Sequence, residues 1–489
     1  MGLKGFRIWR PWINCTIWRD HSFLIPIPRF AAMSFRSLLT MAQEGAQHLG
    51  EEGVLCLGIP IAPLDPLLAV PQLSQGNDFT WIWDGWPGLT LAATGVEQSL
   101  ELRGPRRFPL AQRFIETSLN RLICPHGAGR AVQRPRLVLA FSFFGHADGD
   151  GVPGVTIVLP RWQLGRQGRH CWLLHQRSLG GTVTARSMAE ALWEQAQALG
   201  QSPPPPLCLP RLVASSDSWR QPFQSSVKQA LDLINEGRLG KLVLAAQQDL
   251  LLSTPLNPID LLRSLRRHQP GSCRFLWRLA NRQGNNAVVG ASPERLLELR
   301  SGRLRCDGLA GTAGVSGDGA QQLLRSVKNR HEHELVVNAI VQSLCSQGLA
   351  PQRRPCPRLA RHGNLLHLHT LIQADAHGHR VLDLAEALHP TPAVAGLPRR
   401  EALGWLRSLE KFPRGYYGAP LGWVDLCRDA DLRVAIRCGQ LHGQHLKLTA
   451  GAGIVMGSSP GREQEEVELK LSVLQRQFIL TRNLQPLQR

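Results

Sequence analysis

The sequence predicts a large layered α/β or α+β fold, in which helices pack against sheets. Apolar runs typical of strands alternate with stripes typical of helices to the end of the chain. The chain has 489 residues, of which 43% are hydrophobic, so it exceeds one ordinary core and indicates either one large domain or two lobes sharing a core. No period of 20 to 50 residues recurs, which argues against a repeat architecture.

A run of four prolines, Pro203 to Pro206, divides the chain. Proline runs are stiff, so this run marks a joint between residues 33–210, the first half, and residues 211–489, which carry the chemistry. Residues 1–32 form an extension with a single acid, Asp20. A shortage of acids is typical of targeting peptides, and such a peptide would direct the protein to a plastid. Because serine is not enriched, we favour the alternative that translation begins at Met33.

The elements are predicted in chain order from their periodicity. Before the prolines, residues 136–141 and 155–159 are typical of strands, and residues 189–199 of a helix. A helix at 226–239 ends at a glycine, and a strand follows at 241–245. Two later helices are predicted at 324–344 and 461–480.

Composition narrows the functional classes. The formal charge of +19 is compatible with nucleic acid, an acidic membrane surface or a small anion. Aromatic residues are not interleaved with the basic ones, so we expect no nucleic-acid partner. The apolar run at 54–73 is interrupted by four prolines, so no membrane span is expected. Eleven cysteines without a CxxC pair argue against zinc and disulfides and indicate the cytoplasm.

Two residues near strand ends are candidates for acid and base catalysis. Lys241 opens a strand beside Val243 and Ala245, and desolvation there would lower its pKa towards that of a general base. Glu294 follows an apolar strand, and a raised pKa would make it a general acid. Alternatively, Lys241 is an ordinary solvated lysine, and Glu294 is a carboxylate at a helix start.

Three carboxylates fall on the apolar stripes of the two later helices. Helical spacing turns Glu332 inward on the first helix, and Glu463 and Glu466 inward on the second. Such carboxylates could converge on a hard divalent cation that prefers oxygen ligands. The alternative is a buried salt-bridge network with Lys328 and Lys470, which share these stripes.

Two glycine-containing segments, 309–312 and 450–454, are interpreted as turns. Bare backbone N–H groups in such turns can hold an anion. Neither segment matches a dinucleotide or phosphate-binding fingerprint.

Taken in order, these motifs resemble the chorismate-utilising enzyme family, which includes anthranilate, aminodeoxychorismate, salicylate and isochorismate synthases. The resemblance covers roughly residues 220 to 480. It rests on nine ordered motifs: Lys241-Leu-Val-Leu-Ala, Gly290-Ala-Ser-Pro-Glu-Arg-Leu, Leu309-Ala-Gly-Thr, Lys328-Asn-Arg-His-Glu-His-Glu-Leu-Val-Val, His389-Pro-Thr-Pro-Ala-Val-Ala-Gly, Arg414-Gly-Tyr-Tyr, Ala435-Ile436-Arg437, Ala450-Gly-Ala-Gly-Ile and the helix from Glu463 to Lys470.

The resemblance implies a sandwich of two related halves with the active site in the cleft between them. Lys241 stands where water-activating members carry their base, and Ala310 stands where aminodeoxychorismate synthases carry a nucleophilic lysine. The implied reaction therefore converts chorismate to isochorismate, for quinone, siderophore or salicylate synthesis, with Glu294 as the acid. The implied cofactor is Mg²⁺, held by Glu332, Glu463 and Glu466. The implied substrate-binding residues are Ala310, Gly311, Thr312, His389, Tyr417, Arg437, Gly451, Gly453 and Lys470.

Two alternatives remain open from the sequence. A salicylate synthase would use the same base and acid and would also eliminate pyruvate. A basic nucleic-acid-binding protein on an inactive scaffold is the alternative from another class. We expect a monomer whose partner is the small molecule chorismate.

Overall fold

The computed structural model describes residues 33–480, except 74–78, 86–87, 128, 146–150, 202, 282–283 and 316. The predicted extension at 1–32 lies outside the described residues. Within them, the helices are α1 (Phe35–Gln47), α2 (Pro66–Leu73), α3 (Arg107–Asn120), α4 (Ala185–Ala198), α5 (Arg220–Asn235), α6 (Pro258–His268), α7 (Gly319–Arg325), α8 (Val327–Cys345), α9 (Val381–Leu388), α10 (Arg399–Leu409) and α11 (Pro460–Leu480).

The strands pair into one continuous, branched sheet. They are β1 (Val54–Ile61), β2 (Phe79–Asp84), β3 (Leu89–Leu102), β4 (Leu122–Ile123), β5 (Arg136–Phe141), β6 (Val155–Gln167), β7 (His170–Ser178), β8 (Leu212–Ser215), β9 (Lys241–Leu252), β10 (Cys273–Asn281), β11 (Gly284–Ser292), β12 (Arg295–Arg300), β13 (Arg303–Gly314), β14 (Gln352–Arg353), β15 (Arg358–His362), β16 (Leu365–Asp375), β17 (Gly396–Leu397), β18 (Pro420–Asp425), β19 (Ala430–Val434), β20 (Cys438–His442) and β21 (His445–Ile454).

The sheet divides into two arms at β6, which pairs with β3 along one edge and with β5 and β7 along the other. The first arm continues from β3 through β2, β10, β11, β20 and β21 to β9. The second continues from β5 through β18, β19, β12 and β13 to β16. Strands from before and after the proline run therefore pair within both arms, and the predicted α/β class is confirmed.

Two of the places where the chain crosses between the arms lie next to each other. One crossing joins β11 to β12 and the other joins β19 to β20. They are held together because the N–H of Val434 donates to the carbonyl of Glu294 (3.2 Å), and that of Ala291 donates to the carbonyl of Arg437 (3.0 Å). Each crossing thus brings a polar residue to the junction of the two arms.

Three helices cover the strands near this junction: α5 packs on β9, α8 on β13 and α11 on β21. The predicted helix at 324–344 is wrong at its start. The hydroxyl of Ser326 accepts from the N–H of Asn329 and caps α8, which separates it from the short α7. No helix in the described part of the chain is long and apolar enough to cross a membrane.

Candidate active site

Lys241 begins β9 and is fully buried. The backbone pairs with β17, which fixes the strand start, and Nζ lies 3.0 Å from Oε1 of Glu332. Burial lowers the pKa of Lys241, and the neighbouring carboxylate offsets this only in part. The alternative of a solvated lysine is therefore wrong, because the side chain has no contact with water.

Glu294 lies in the first crossing, between β11 and β12. Its N–H donates to the hydroxyl of Ser292 (3.2 Å), which holds the turn. No helix follows, so the alternative of a carboxylate at a helix start is wrong. Burial, with a contribution from the nearby Asp307, raises the pKa of Glu294 to about 8. A carboxyl with this pKa keeps its proton at neutral pH and can donate it.

The three inward carboxylates meet lysines between α8 and α11. Nζ of Lys328 lies 3.4 Å from Oε2 of Glu332 and 3.1 Å from Oε1 of Glu463, and so joins the two helices. Glu466 pairs with Lys470 at 2.7 Å. The alternative drawn from the sequence, a salt-bridge network, is thus present.

The same carboxylates fit a hard cation by donor type. They offer only oxygen atoms, and Oε2 of Glu332 is buried without a hydrogen-bond partner. Among the described residues no three acidic, histidine or cysteine side chains stand close enough together to form a ready metal cluster. Because Lys328 lies between Glu332 and Glu463, an ion held by both has to displace it.

Two cationic residues, Arg437 and Lys470, line the other side of the site. Arg437 is buried, and no described carboxylate lies within ion-pair distance of it; burial lowers its pKa to about 10. Lys470 donates to the carbonyl of Gly451 (2.7 Å). A Cβ on that glycine would lie 3.1 Å from the hydroxyl of Tyr417, so the phenol sits directly over the strand. A buried arginine without an acid indicates that an anion binds here.

Tyr417 is held in place by a buried ion pair. Arg414 donates to Glu410 (2.6 Å) and to the carbonyl of Val243 (2.7 Å), while Glu410 accepts from the N–H of Ala245 (2.8 Å). These bonds fix the loop that carries Tyr417 against β9.

The glycine segments are strands, not turns. Gly451 and Gly453 lie in β21, opposite Ala245 and Val243 of β9. Gly311 is the extra residue of a bulge in β13, with φ of +72°. Their pairing with strands distant in sequence overrides the local turn pattern.

Two small cavities occupy the space between these groups. One, of about 50 Å³, is lined by the second crossing and by the glycine strands; the predicted residues on its wall are Glu294, Ala310, Gly311, Thr312, Glu332, Arg437, Gly451, Gly453, Glu466 and Lys470. The other, of about 40 Å³, adds Tyr417. A solvent-open mouth of about 820 Å³ shares Thr312 and Glu466 with the first and also contacts Lys328 and Glu463.

Comparison with known proteins identifies the family. A family model described as chorismate binding enzyme matches residues 39–479 of the chain. The chain belongs to the chorismate-binding enzyme family. The resemblance inferred from the nine motifs is therefore confirmed, and it extends through the first half of the chain.

Curated relatives and solved structures agree with this assignment. A salicylate biosynthesis isochorismate synthase of Pseudomonas aeruginosa is 33% identical over 446 residues, which cover 88% of this chain and 91% of that protein. The structure of the menaquinone-specific isochorismate synthase of Escherichia coli matches with a TM-score of 0.71 and 26% identity over 90% of this chain and 99% of that one. Anthranilate synthase component I of Streptococcus pneumoniae shares the fold, with a TM-score of 0.65 and 19% identity over 80% of this chain and 93% of that one.

His367 belongs to the site of this family member and was missed by the sequence reasoning. It is buried on β16, lines the larger of the two cavities together with Glu294, and has Nε2 3.3 Å from Nη2 of Arg437. Burial, then the charge of Arg437, lowers its pKa well below the usual range, so the ring is neutral. The signal was the alternation of polar and apolar residues at 365–371, where His367 and His369 stand among leucines.

Two predicted residues lie back from the cavities. Lys241 stands behind Glu332, which lines the cavity in its place. His389 packs against Phe143 and its Nε2 bonds the carbonyl of that residue (3.1 Å), so it supports the loop at 389–396 and does not line either cavity. Burial lowers the pKa of His389 to about 3.

Proposed function

We propose that this chain converts chorismate to isochorismate by adding water at C2 of the ring and releasing the hydroxyl at C4. The observation that carries the proposal is a buried amine with a lowered pKa, Lys241, close to a carboxyl with a raised pKa, Glu294. Opposite shifts of two neighbouring groups suit a base and an acid that work in one reaction. The Pseudomonas aeruginosa relative, named an isochorismate synthase and matched over 88% of this chain, supports the same reaction.

Lys241 takes the proton from water in this proposal. The oxygen of that water forms the bond to C2, the ring double bonds shift, and the bond from C4 to its hydroxyl breaks. Since Nζ of Lys241 is paired with Glu332, this pair has to open before water reaches the amine. The lowered pKa shifts the amine towards its neutral, basic form.

Glu294 gives its proton to the departing hydroxyl, which leaves as water. Its raised pKa supplies that proton at neutral pH. Ala310, on the same cavity wall, is small and has no nucleophile, so this position supplies no enzyme amine to compete with water.

Arg437 and Lys470 receive the two carboxylates of chorismate. Arg437 offers a planar pair of N–H donors for bidentate binding, and Tyr417 lies beside it. Beyond Thr449, no described strand pairs with β21 on the side that β20 occupied, so N–H groups of the glycine segment are available to the anion. The inner cavities are far below the roughly 300 Å³ of a usual ligand site, so substrate entry from the mouth displaces side chains.

We further propose that Mg²⁺ binds Glu332, Glu463 and Glu466 and neutralises substrate charge when it is present. The oxygen-only donors support this assignment, as does Oε2 of Glu332, which is buried and accepts no hydrogen bond although Lys328 lies 3.4 Å from it. Lys328 would have to leave its position between the carboxylates to admit the ion, whereas Lys470 would stay near the substrate.

The test is incubation of the full chain with chorismate and Mg²⁺, followed by chromatography of the products and a coupled assay for pyruvate. We expect isochorismate without stoichiometric pyruvate. Salicylate with equal pyruvate would indicate the synthase alternative, and the absence of any product would overturn the proposal.

A further inference from the structure

A second cavity, of about 470 Å³, opens on the first arm of the sheet and shares no lining residue with the active-site cavities. Its floor includes Trp277 and Leu279 of β10, Val288 of β11, and Gln440 of β20. Gln247 of β9 also lines this cavity. At the rise per residue of an extended strand, Gln247 lies roughly 20 Å along β9 from Lys241. Its volume falls within the roughly 300 to 1,000 Å³ of small-molecule sites.

The floor is apolar and aromatic but carries one unsatisfied donor. Trp277 is 3% exposed and packs edge-on against Phe79 (5.3 Å between ring centres). Its Nε1–H is buried and has no hydrogen-bond partner among the described residues. A buried indole N–H normally finds an acceptor, so an occupant of this cavity should carry one.

The rim is mainly cationic. It is formed by Arg103 at the end of β3 and by Lys447 on β21, with two histidines and one acid, His442, His445 and Glu101. Asp249 is the residue directly opposite Lys447 in the β9–β21 pair, so its side chain lies on the same face, but no ion pair joins the two among the described residues. The ammonium is exposed at the rim and can turn to an anionic ligand.

We propose that this cavity binds a small carboxylate with an apolar, ring-sized body. The body would lie on Trp277, Leu279 and Val288, and the carboxylate would meet the ammonium of Lys447 at the rim. An apolar floor with few polar groups and a charged rim is the usual composition of such sites. Tyr416 lines this cavity, and the next residue, Tyr417, lines an active-site cavity. One loop therefore contributes a side chain to each site.

The test is calorimetric titration of the full chain with benzoate. The variant Arg437→Met removes the arginine of the active site, Lys447→Met removes the cation of the second cavity, and Lys228→Met is the control on the exposed face of α5. We expect binding that persists in Arg437→Met and Lys228→Met and weakens about tenfold or more in Lys447→Met, as loss of a charged contact predicts.

Trp277→Leu, which keeps an apolar floor without the ring, should weaken benzoate severalfold through the lost aromatic contact. Inorganic phosphate is the comparison probe and should bind more weakly because it leaves the apolar floor uncovered. Three results would overturn the proposal: no binding of benzoate, binding lost in Arg437→Met but kept in Lys447→Met, or phosphate binding as tight as that of benzoate.

Discussion

Nζ of Lys241 lies 3.0 Å from Oε1 of Glu332, so the proposed base and a proposed metal ligand form one buried ion pair. Gly453 makes the approach of these side chains feasible, because a Cβ there would overlap Oε1 of Glu332 and lie 2.9 Å from Cε of Lys241. Base and metal site are therefore coupled: whatever draws Glu332 towards a cation also frees the amine for water.

Replacing Lys241 with alanine removes the proposed base. General-base catalysis typically contributes about 10² to 10⁴ in rate, so kcat should fall by that order. Steady-state formation of isochorismate measures it, with the exposed Lys228→Ala on α5 as the control. Near-normal turnover of Lys241→Ala would show that another group activates water.

The pH dependence of kcat/KM should report both groups. The rate should rise with pH as Lys241 loses its proton, at a pKa below the ordinary 10.5, and fall above about pH 8 as Glu294 loses its own. The same kcat/KM profile of Glu294→Gln should have a much lower maximum and lack the descending limb near pH 8. A descending limb that stays unchanged in this variant would assign it to another group.

Glu294 should also make folding stability depend on pH. Its folded pKa of about 8 exceeds the ordinary 4.5, so its favourable contribution is complete below pH 4.5 and is lost as pH rises through 8. A glutamine has no proton to lose and avoids this loss. The unfolding temperature of Glu294→Gln minus that of the unchanged chain should therefore be larger at pH 9 than at pH 5. Thermal unfolding followed by circular dichroism measures this difference, and an equal difference at both pH values would contradict the assigned pKa.

Lys328 should compete with the cation for its carboxylates. Burial disfavours its charge, but the carboxylates of Glu332, Glu466 and Glu463 outweigh burial and raise its pKa. In Lys328→Met two buried carboxylates lose this partner, so Mn²⁺ used in place of Mg²⁺ should bind more tightly, by about tenfold. Titration by electron paramagnetic resonance measures free Mn²⁺ without any turnover. Weaker binding than in Lys228→Met would mean that Lys328 supports the metal site.

Gly453→Ala should separate the fold from the chemistry. The new methyl group would push Glu332 and Lys241 apart, so activity should fall at least tenfold while the circular dichroism spectrum is kept. Gly404→Ala is the matched control, since nothing lies within 4 Å of a Cβ at that position of α10. Full activity of Gly453→Ala would contradict the close packing of this ion pair.

Sequence periodicity was enough to predict the inward carboxylates, because helix faces are local. The spacing in α8 and α11 predicted that Glu332 and Glu463 are buried, and both are. It also predicted that burial would lower the pKa of Lys241, since the strand around it is apolar.

The remaining features depend on pairing between distant strands. Gly311, Gly451 and Gly453 were interpreted as turn residues because their local pattern is glycine-rich, whereas β16 and β9 draw them into strands. His367 reaches Arg437 only because β16 pairs with β13 near the second crossing, a contact across 70 residues. Local patterns carry no information about such contacts.

The source of the oxygen at C2 tests the central claim most directly. Chorismate should be converted in water enriched with ¹⁸O, and the isochorismate analysed by mass spectrometry. Attack by solvent water near Lys241 predicts one ¹⁸O atom at C2, formed at a rate that falls about 10² to 10⁴ in Lys241→Ala. Isochorismate without ¹⁸O at C2 would contradict the proposed mechanism.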